Sequence, residues 1–165
     1  MDVTKLIEIF ESAFGFLEEA FNFQKGTVNI RDCGVEIIFK NATTGVRVWY
    51  EYREFWVFVY LCQLISKDLV LPSGEMQPST RLYCYDLEDL VAIRASESVN
   101  LTDDVRKAET LERYIHRQAQ NLENYAPDVL LGDFSVFCQL DKMVKARAKK
   151  AASEKWGERA EAYGW

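Results

Sequence analysis

The sequence predicts an α+β domain: an antiparallel β-meander of three or four strands with an N-terminal helix and several C-terminal helices packed mainly on one side. Three observations carry this expectation. Residues 46–65, VRVWYEYREFWVFVYLCQLI, alternate in side-chain type on both sides of a break near Arg53 and Glu54. Such alternation is the mark of strands, because successive strand residues face opposite sides of a sheet. Apolar residues recur three and four apart before this stretch, and helix-capping signals and a proline punctuate the chain after it.

The first helix is expected over 4–21, where Leu6, Ile9, Phe10, Ala13, Leu17 and Phe21 form a stripe and Glu8, Glu11, Glu18 and Glu19 lie mostly off it. Gly15 weakens its centre without ending it, and Gly26 marks the exit. Residues 27–31 and 35–40 read as strands, 32–34 as a turn and 41–45 as a hairpin loop. The long pair 46–52 and 55–65 completes the meander. Val46, Val48, Tyr50 and Tyr52 face one way and Arg47, Trp49, Glu51 and Arg53 the other. In the return strand Phe55, Val57, Val59 and Leu61 alternate with Trp56, Phe58, Tyr60 and Cys62. Residues 66–82, with Pro72, Gly74 and Pro78, read as a long loop.

Asp86 reads as the N-cap of a helix carrying Leu87, Leu90, Val91 and Arg94. Thr102 caps the next helix, over 103–125, with Asp103 and Asp104 in its first turn and Leu111, Ile115, Leu122 and Tyr125 on one side. Ala126 and Pro127 end it. Pro127 opens a short turn closed by Gly132, and Asp133 caps a last helix with Phe134, Phe137, Leu140 or Asp141, Val144, Ala148 and Ala151 inward. The apolar stripe of that helix fades to alanine, so fraying is expected over 150–165.

At 165 residues, with 48% apolar and 28% charged residues, the chain is long enough for one well-filled domain. No apolar run reaches the ~18–20 residues that cross a bilayer. The start MDVTKLIEIF lacks a basic segment ahead of an apolar run, which predicts no signal peptide and a cytoplasmic location. Cys33, Cys62, Cys84 and Cys138 are scattered without a CxxC pair, so no metal site and no cofactor is expected. Cys62 and Cys138 are expected to be reduced, buried thiols; spacing does not exclude a disulfide, but a reducing compartment disfavours one.

Residues 134–165 hold seven Lys or Arg and four Asp or Glu, a net +3, so with a total of −6 residues 1–133 carry −9. An acidic body disfavours nucleic acid and favours a basic partner. The basic end reads as a solvated helix face suited to the helix dipole. His116, the only histidine, reads as a surface residue one turn beyond Glu112. No GxSxG, HExxH, Walker A or GxGxxG pattern is present. The carboxylates Asp86, Glu88 and Asp89 cluster at a helix start, where capping accounts for them.

The aromatic strand face is the feature with a functional reading. It is either buried beneath the C-terminal helices or serves as a docking surface on which Trp49, Trp56, Phe58 and Tyr60 anchor a partner and Arg47, Glu51 and Arg53 orient it. Asp86, Glu88 and Asp89 form the second candidate contact.

The order of the segments FGFLEEAFNFQ, VEIIFKNATTGVRVWYEYREFWVFVYLCQL, YDLEDLVAIR and NYAPDVLLGDFSVF is similar to that of small, acidic bacterial immunity-like proteins found with polymorphic toxins. The resemblance covers most of residues 10–140. It implies a protein that binds and blocks one cognate toxin, with no cofactor and no chemistry of its own, and it brings no catalytic set to carry over. The expected function is therefore a non-enzymatic protein-binding module that occludes a basic toxin domain. The alternatives are an adaptor that pairs the same patch with a second copy as a homodimer, and, behind it, a hydrolase or nucleic-acid binder.

Overall fold

The computed structural model describes residues 2–71, 76–95, 108–157 and 160. Five antiparallel strands, β1 (Gln24–Arg31), β2 (Gly34–Lys40), β3 (Thr44–Glu51), β4 (Trp56–Gln63) and β5 (Cys84–Asp86), form one sheet in chain order. Before them lie α1 (Val3–Phe14) and α2 (Phe16–Phe21). After them come α3 (Leu87–Arg94), α4 (Ala108–Tyr125), α5 (Pro127–Leu130) and α6 (Phe137–Trp156). The α+β class and the meander are as expected; the strand count is five. Among the described residues no helix is long and apolar enough to cross a membrane.

The period-two pattern sets the register. Val46 pairs with Leu61, Val48 with Val59 and Tyr50 with Val57, while Phe39, Ile37 and Val35 pair with the same β3 residues from the other side. All of these side chains are buried in one core with Leu6, Ile9, Phe10 and Phe14 of α1, Leu87, Leu90 and Val91 of α3, and Leu111, Tyr114, Ile115 and Leu122 of α4. An amphipathic helix gains most of its stability by burying such a stripe, at roughly 1.5–3 kcal/mol per large side chain.

Several expectations are corrected at element ends. The first helix is divided at Gly15, whose carbonyl accepts from the amides of both Glu18 (3.0 Å) and Glu19 (3.4 Å). The exit is Asn22, not Gly26: Asn22 is left-handed at φ 56°, and the Phe23 amide donates back to the Leu17 carbonyl at 3.0 Å. Gly26 instead lies in β1, where the register shifts between Lys25 and Val28, and a Cβ there would stand 2.7 Å from the Ile38 carbonyl oxygen. Phe55 does not join the inward face, because it sits in the β3–β4 turn at φ 52° and is exposed. Thr102, Asp103 and Asp104 lie outside the described residues.

Polar contacts lock the sheet to the helices. Asn41 closes the β2–β3 hairpin by accepting from the amides of Thr43 (3.0 Å) and Thr44 (2.8 Å), and it donates to the Leu130 carbonyl of α5 (3.0 Å). The buried Thr44 hydroxyl donates to the Val129 carbonyl at 2.9 Å. Arg94, in the last turn of α3, holds Asp128 of α5 in a bidentate pair at 2.7 and 2.6 Å and also donates to the Tyr125 carbonyl. That hydrogen bonding holds the Asp128 carboxyl below its usual range. We expect Arg94→Ala to cost about 1–3 kcal/mol. Thermal melts should show the gap between variant and parent narrowing as pH falls through the depressed folded value of Asp128.

In α6, Phe137, Leu140 and Ala152 are buried, whereas Ala151 is exposed. Its N-cap is Val136; Asp133 caps the preceding turn by accepting from the Ser135 amide at 2.9 Å.

Candidate interaction surface on the open sheet face

Alternation sends one set of side chains away from the core: Glu36 and Ile38 from β2, Arg47 and Trp49 from β3, Phe58 and Tyr60 from β4. The sequence leaves open whether helices cover them. Trp49, Phe58 and Tyr60 are half-buried and do not belong to the core. Phe58 and Tyr60 stack at 6.1 Å with ring planes 15° apart. The Arg47 guanidinium carbon lies 5.7 Å from the Trp49 ring centroid and 5.4 Å from that of Tyr60. Both distances are within cation–π reach. The Trp49 ring runs across the open Cα of Gly34, where a Cβ would meet its Cη2 and Cζ2 atoms at 2.8 Å.

Glu36 holds this arrangement in place. It is only 3% exposed although it points away from the core. Its Oε1 accepts from Arg47 Nε, its Oε2 accepts from Asn29 Nδ2 at 2.8 Å, and Arg31 Nη2 stands 3.7 Å away. Burial alone would raise its carboxyl, but the bonds from Arg47 and Asn29 outweigh it and hold the group below the ordinary range. Asn29, Arg31 and Glu36 were not among the sequence candidates. Glu36, between Val35 and Ile37, has the right parity to meet Arg47, and that opposite-charge pattern was the available signal.

The other candidates divide. Glu51 and Arg53 lie at the end of β3, where Glu51 Oε1 accepts from the Arg53 amide at 3.2 Å and the Arg53 side chain is exposed. Trp56 departs from the platform: it packs against the core with its ring 5.0 Å from that of Tyr114 in α4. The carboxylates near α3 are each engaged within the fold. Asp86 caps α3 by accepting from the Glu88 amide at 2.8 Å. Glu88 accepts from the Tyr114 hydroxyl (2.8 Å) and Gln118 Nε2 (3.2 Å), and Asp89 pairs with Arg147 of α6 at 2.5 Å. Only Asp86, the register partner of Tyr60, adjoins the platform.

Burial pushes the Asp86 carboxyl up to about 7. The Glu88 amide opposes this, Glu88 and Asp89 add to it, and Arg147 pulls it down. The proton is held more tightly in the folded chain than in the unfolded one, where an aspartate titrates near 3.8. Stability therefore falls as pH rises from about 4 through 7. Asp86→Asn keeps a capping oxygen and removes the buried charge. Its melting curve should match the parent near pH 4 and show a gain of about 1–2 kcal/mol at pH 8; equal stability at pH 8 would contradict this.

Elsewhere, a groove of about 380 Å³ runs between residues 79–85 and α6. In it Asp141 accepts from the Tyr85 hydroxyl (3.3 Å) and pairs with Lys145 (2.9 Å), over a floor of Phe134 and Phe137. Burial pushes the Tyr85 phenol up. His116 is exposed on α4 beside Glu112 and Arg113. Among the described residues, no group of three His, Cys, Asp or Glu side chains is placed to hold a metal ion.

The cysteine expectation is corrected. Cys62 and Cys84 are register partners across β4 and β5 and are joined as a disulfide. Cys138 is free and exposed rather than buried, and Cys33 is free in the β1–β2 turn.

Comparisons with protein-family models, with curated proteins and with solved structures returned no match.

Proposed function

We propose that this protein is a non-enzymatic binding module that blocks a basic protein partner by covering it, in the manner of an immunity protein that neutralises a bacterial toxin. The observation that carries this reading is Arg47, held between Trp49 and Tyr60 by a buried carboxylate, on a sheet face outside the core. Trp, Tyr and Arg are the side chains that dominate interface energetics. Here Arg47 is fixed by its bond to Glu36 and the rings pack beside it, so little side-chain entropy is lost on docking. The pairing of Arg47 with Glu36 leaves the centre of the patch close to neutral, while the charge of −9 in residues 1–133 steers a basic partner toward the body. Asp86, Glu88 and Asp89 serve this reading less well than the platform, because their oxygens are occupied within the fold.

The test is co-expression with the C-terminal domain of a large secreted protein encoded beside this chain. Growth should be rescued, and a complex of the two proteins should co-purify. Rescue should be lost in a Trp49→Ala, Tyr60→Ala variant that still melts cooperatively. A toxic domain that kills equally with and without this chain would contradict the proposal. A stable self-pair through the same rings, seen by concentration-dependent sedimentation, would favour the adaptor reading instead.

A further inference from the structure

The chain has a second feature, independent of any partner, at the far end of the sheet from β1. We propose that the bond between Cys62 and Cys84 is an exchangeable staple, opened by a dithiol that attacks Cys84, and that opening it releases β5 from the sheet.

The two sulfurs are unequally placed. Cys62 is fully buried on β4, which has a strand on either side. Cys84 is half-buried on β5, and among the described residues no strand lies beyond it. Thiol–disulfide exchange depends on which sulfur a thiolate can reach. Attack therefore falls on Cys84 Sγ: a bond forms between the incoming sulfur and Cys84, the bond to Cys62 breaks, and Cys62 leaves with the electron pair. The second thiol of the reagent then attacks the mixed disulfide and expels Cys84. The dithiol is oxidised to a disulfide, and its two protons and two electrons end on Cys62 and Cys84.

The ladder that joins β5 to the sheet is short, and beyond it the strand is anchored by the buried ring of Tyr85, 4.7 Å from that of Phe137. The strand is three residues long, pairing Cys84 with Cys62, Tyr85 with Leu61 and Asp86 with Tyr60. One further bond, from the Gln63 amide to the Tyr83 carbonyl at 2.8 Å, continues the ladder. The staple closes a loop with a sequence separation of 22, and loss of such a cross-link restores freedom to the segment it closed. The consequence reaches α3, which begins at the next residue and is capped by Asp86.

The experiment uses the full chain with Cys33→Ser and Cys138→Ser, which removes the two free thiols. Native protein is treated with N-ethylmaleimide, before and after dithiothreitol and without denaturant, and weighed intact. We expect no adduct before reduction and two after it. Hydrogen exchange at the Gln63 and Tyr85 amides should accelerate on the order of tenfold on reduction. A Cys84→Ala variant in the same background should exchange at the reduced rate. Two adducts without reductant would show that no bond forms. Adducts that appear only in denaturant would show a sealed structural bond. Unchanged exchange after full reduction would show that the staple does not hold β5. Each of these three results overturns the proposal.

Discussion

Gly34→Ala is expected to cost several kcal/mol and to disorganise the open face at the same time. A Cβ at this position would stand 2.0 Å from the Tyr50 carbonyl oxygen and 2.8 Å from two atoms of the Trp49 ring. The first contact is with backbone and has no rotamer to escape through. Gly34 pairs with Arg31 on one side and Glu51 on the other, so β2 has to move away from β3 where both ladders meet. Overpacking typically costs about 1–3 kcal/mol, and a clash with backbone lies at or above that upper end. For a chain of this length we expect the melting temperature to fall by about 6–12 °C. Loss of near-ultraviolet tryptophan dichroism should accompany it as Trp49 leaves its place. A variant that melts within a degree or two of the parent would show that this part of the sheet is not packed as described.

The second large effect is the removal of Arg47. Arg47→Ala strands Glu36, a carboxylate almost without solvent contact, with Asn29 and the largely exposed Arg31, 3.7 Å away, as its remaining partners. Breaking a buried pair from one side costs about 3–5 kcal/mol, because the charge left behind is uncompensated. Arg47 keeps 17% side-chain exposure, so water can enter once it is gone and a cost near 3 kcal/mol or below is expected. The pH dependence separates this cause from lost packing. In the parent, the folded value of Glu36 lies below its unfolded one, so its contribution is present above the unfolded value near 4.5 and is lost as pH falls through the folded value. In Arg47→Ala that contribution is gone, and burial instead favours the protonated acid. The gap between parent and variant should be widest near neutrality and narrow in acid. Adding Glu36→Gln to Arg47→Ala should recover part of the loss at neutral pH. A gap that does not change with pH would place the effect in packing alone.

The parts of this fold legible in the sequence are those with a repeating period. Val46, Val48, Val57, Val59 and Leu61 face the core because a strand can place them nowhere else once its neighbours are paired. The cap at Asp86 and the break at Pro127 were legible because each rests on local backbone chemistry. β5 was not: three residues carry no period, and only pairing with β4 makes them a strand. The same holds for the disulfide, since residues 22 apart become register partners only through the path of the chain between them. Trp56 has platform parity, but as the first residue of its strand it meets Tyr114 on a helix that alternation says nothing about. Glu36 was missed because a strand carboxylate ordinarily faces water. Its burial follows from Arg47 and Trp49 of β3 and Asn29 of β1, the two strands that flank β2.

The proposed role of the platform of Arg47, Trp49, Phe58 and Tyr60 is contact with a basic protein domain. Calorimetric titration with the purified C-terminal domain of a secreted protein encoded beside this chain tests it most directly, using parent, Trp49→Ala, Tyr60→Ala and a double variant of exposed α2 carboxylates, Glu18→Gln and Glu19→Gln. Hot-spot truncations cost about 2 kcal/mol or more each. The two ring variants, still melting cooperatively, should therefore bind at least ~30-fold more weakly, while the α2 variant changes affinity by a few-fold at most and mainly through the association rate. Full affinity in both ring variants would contradict the account.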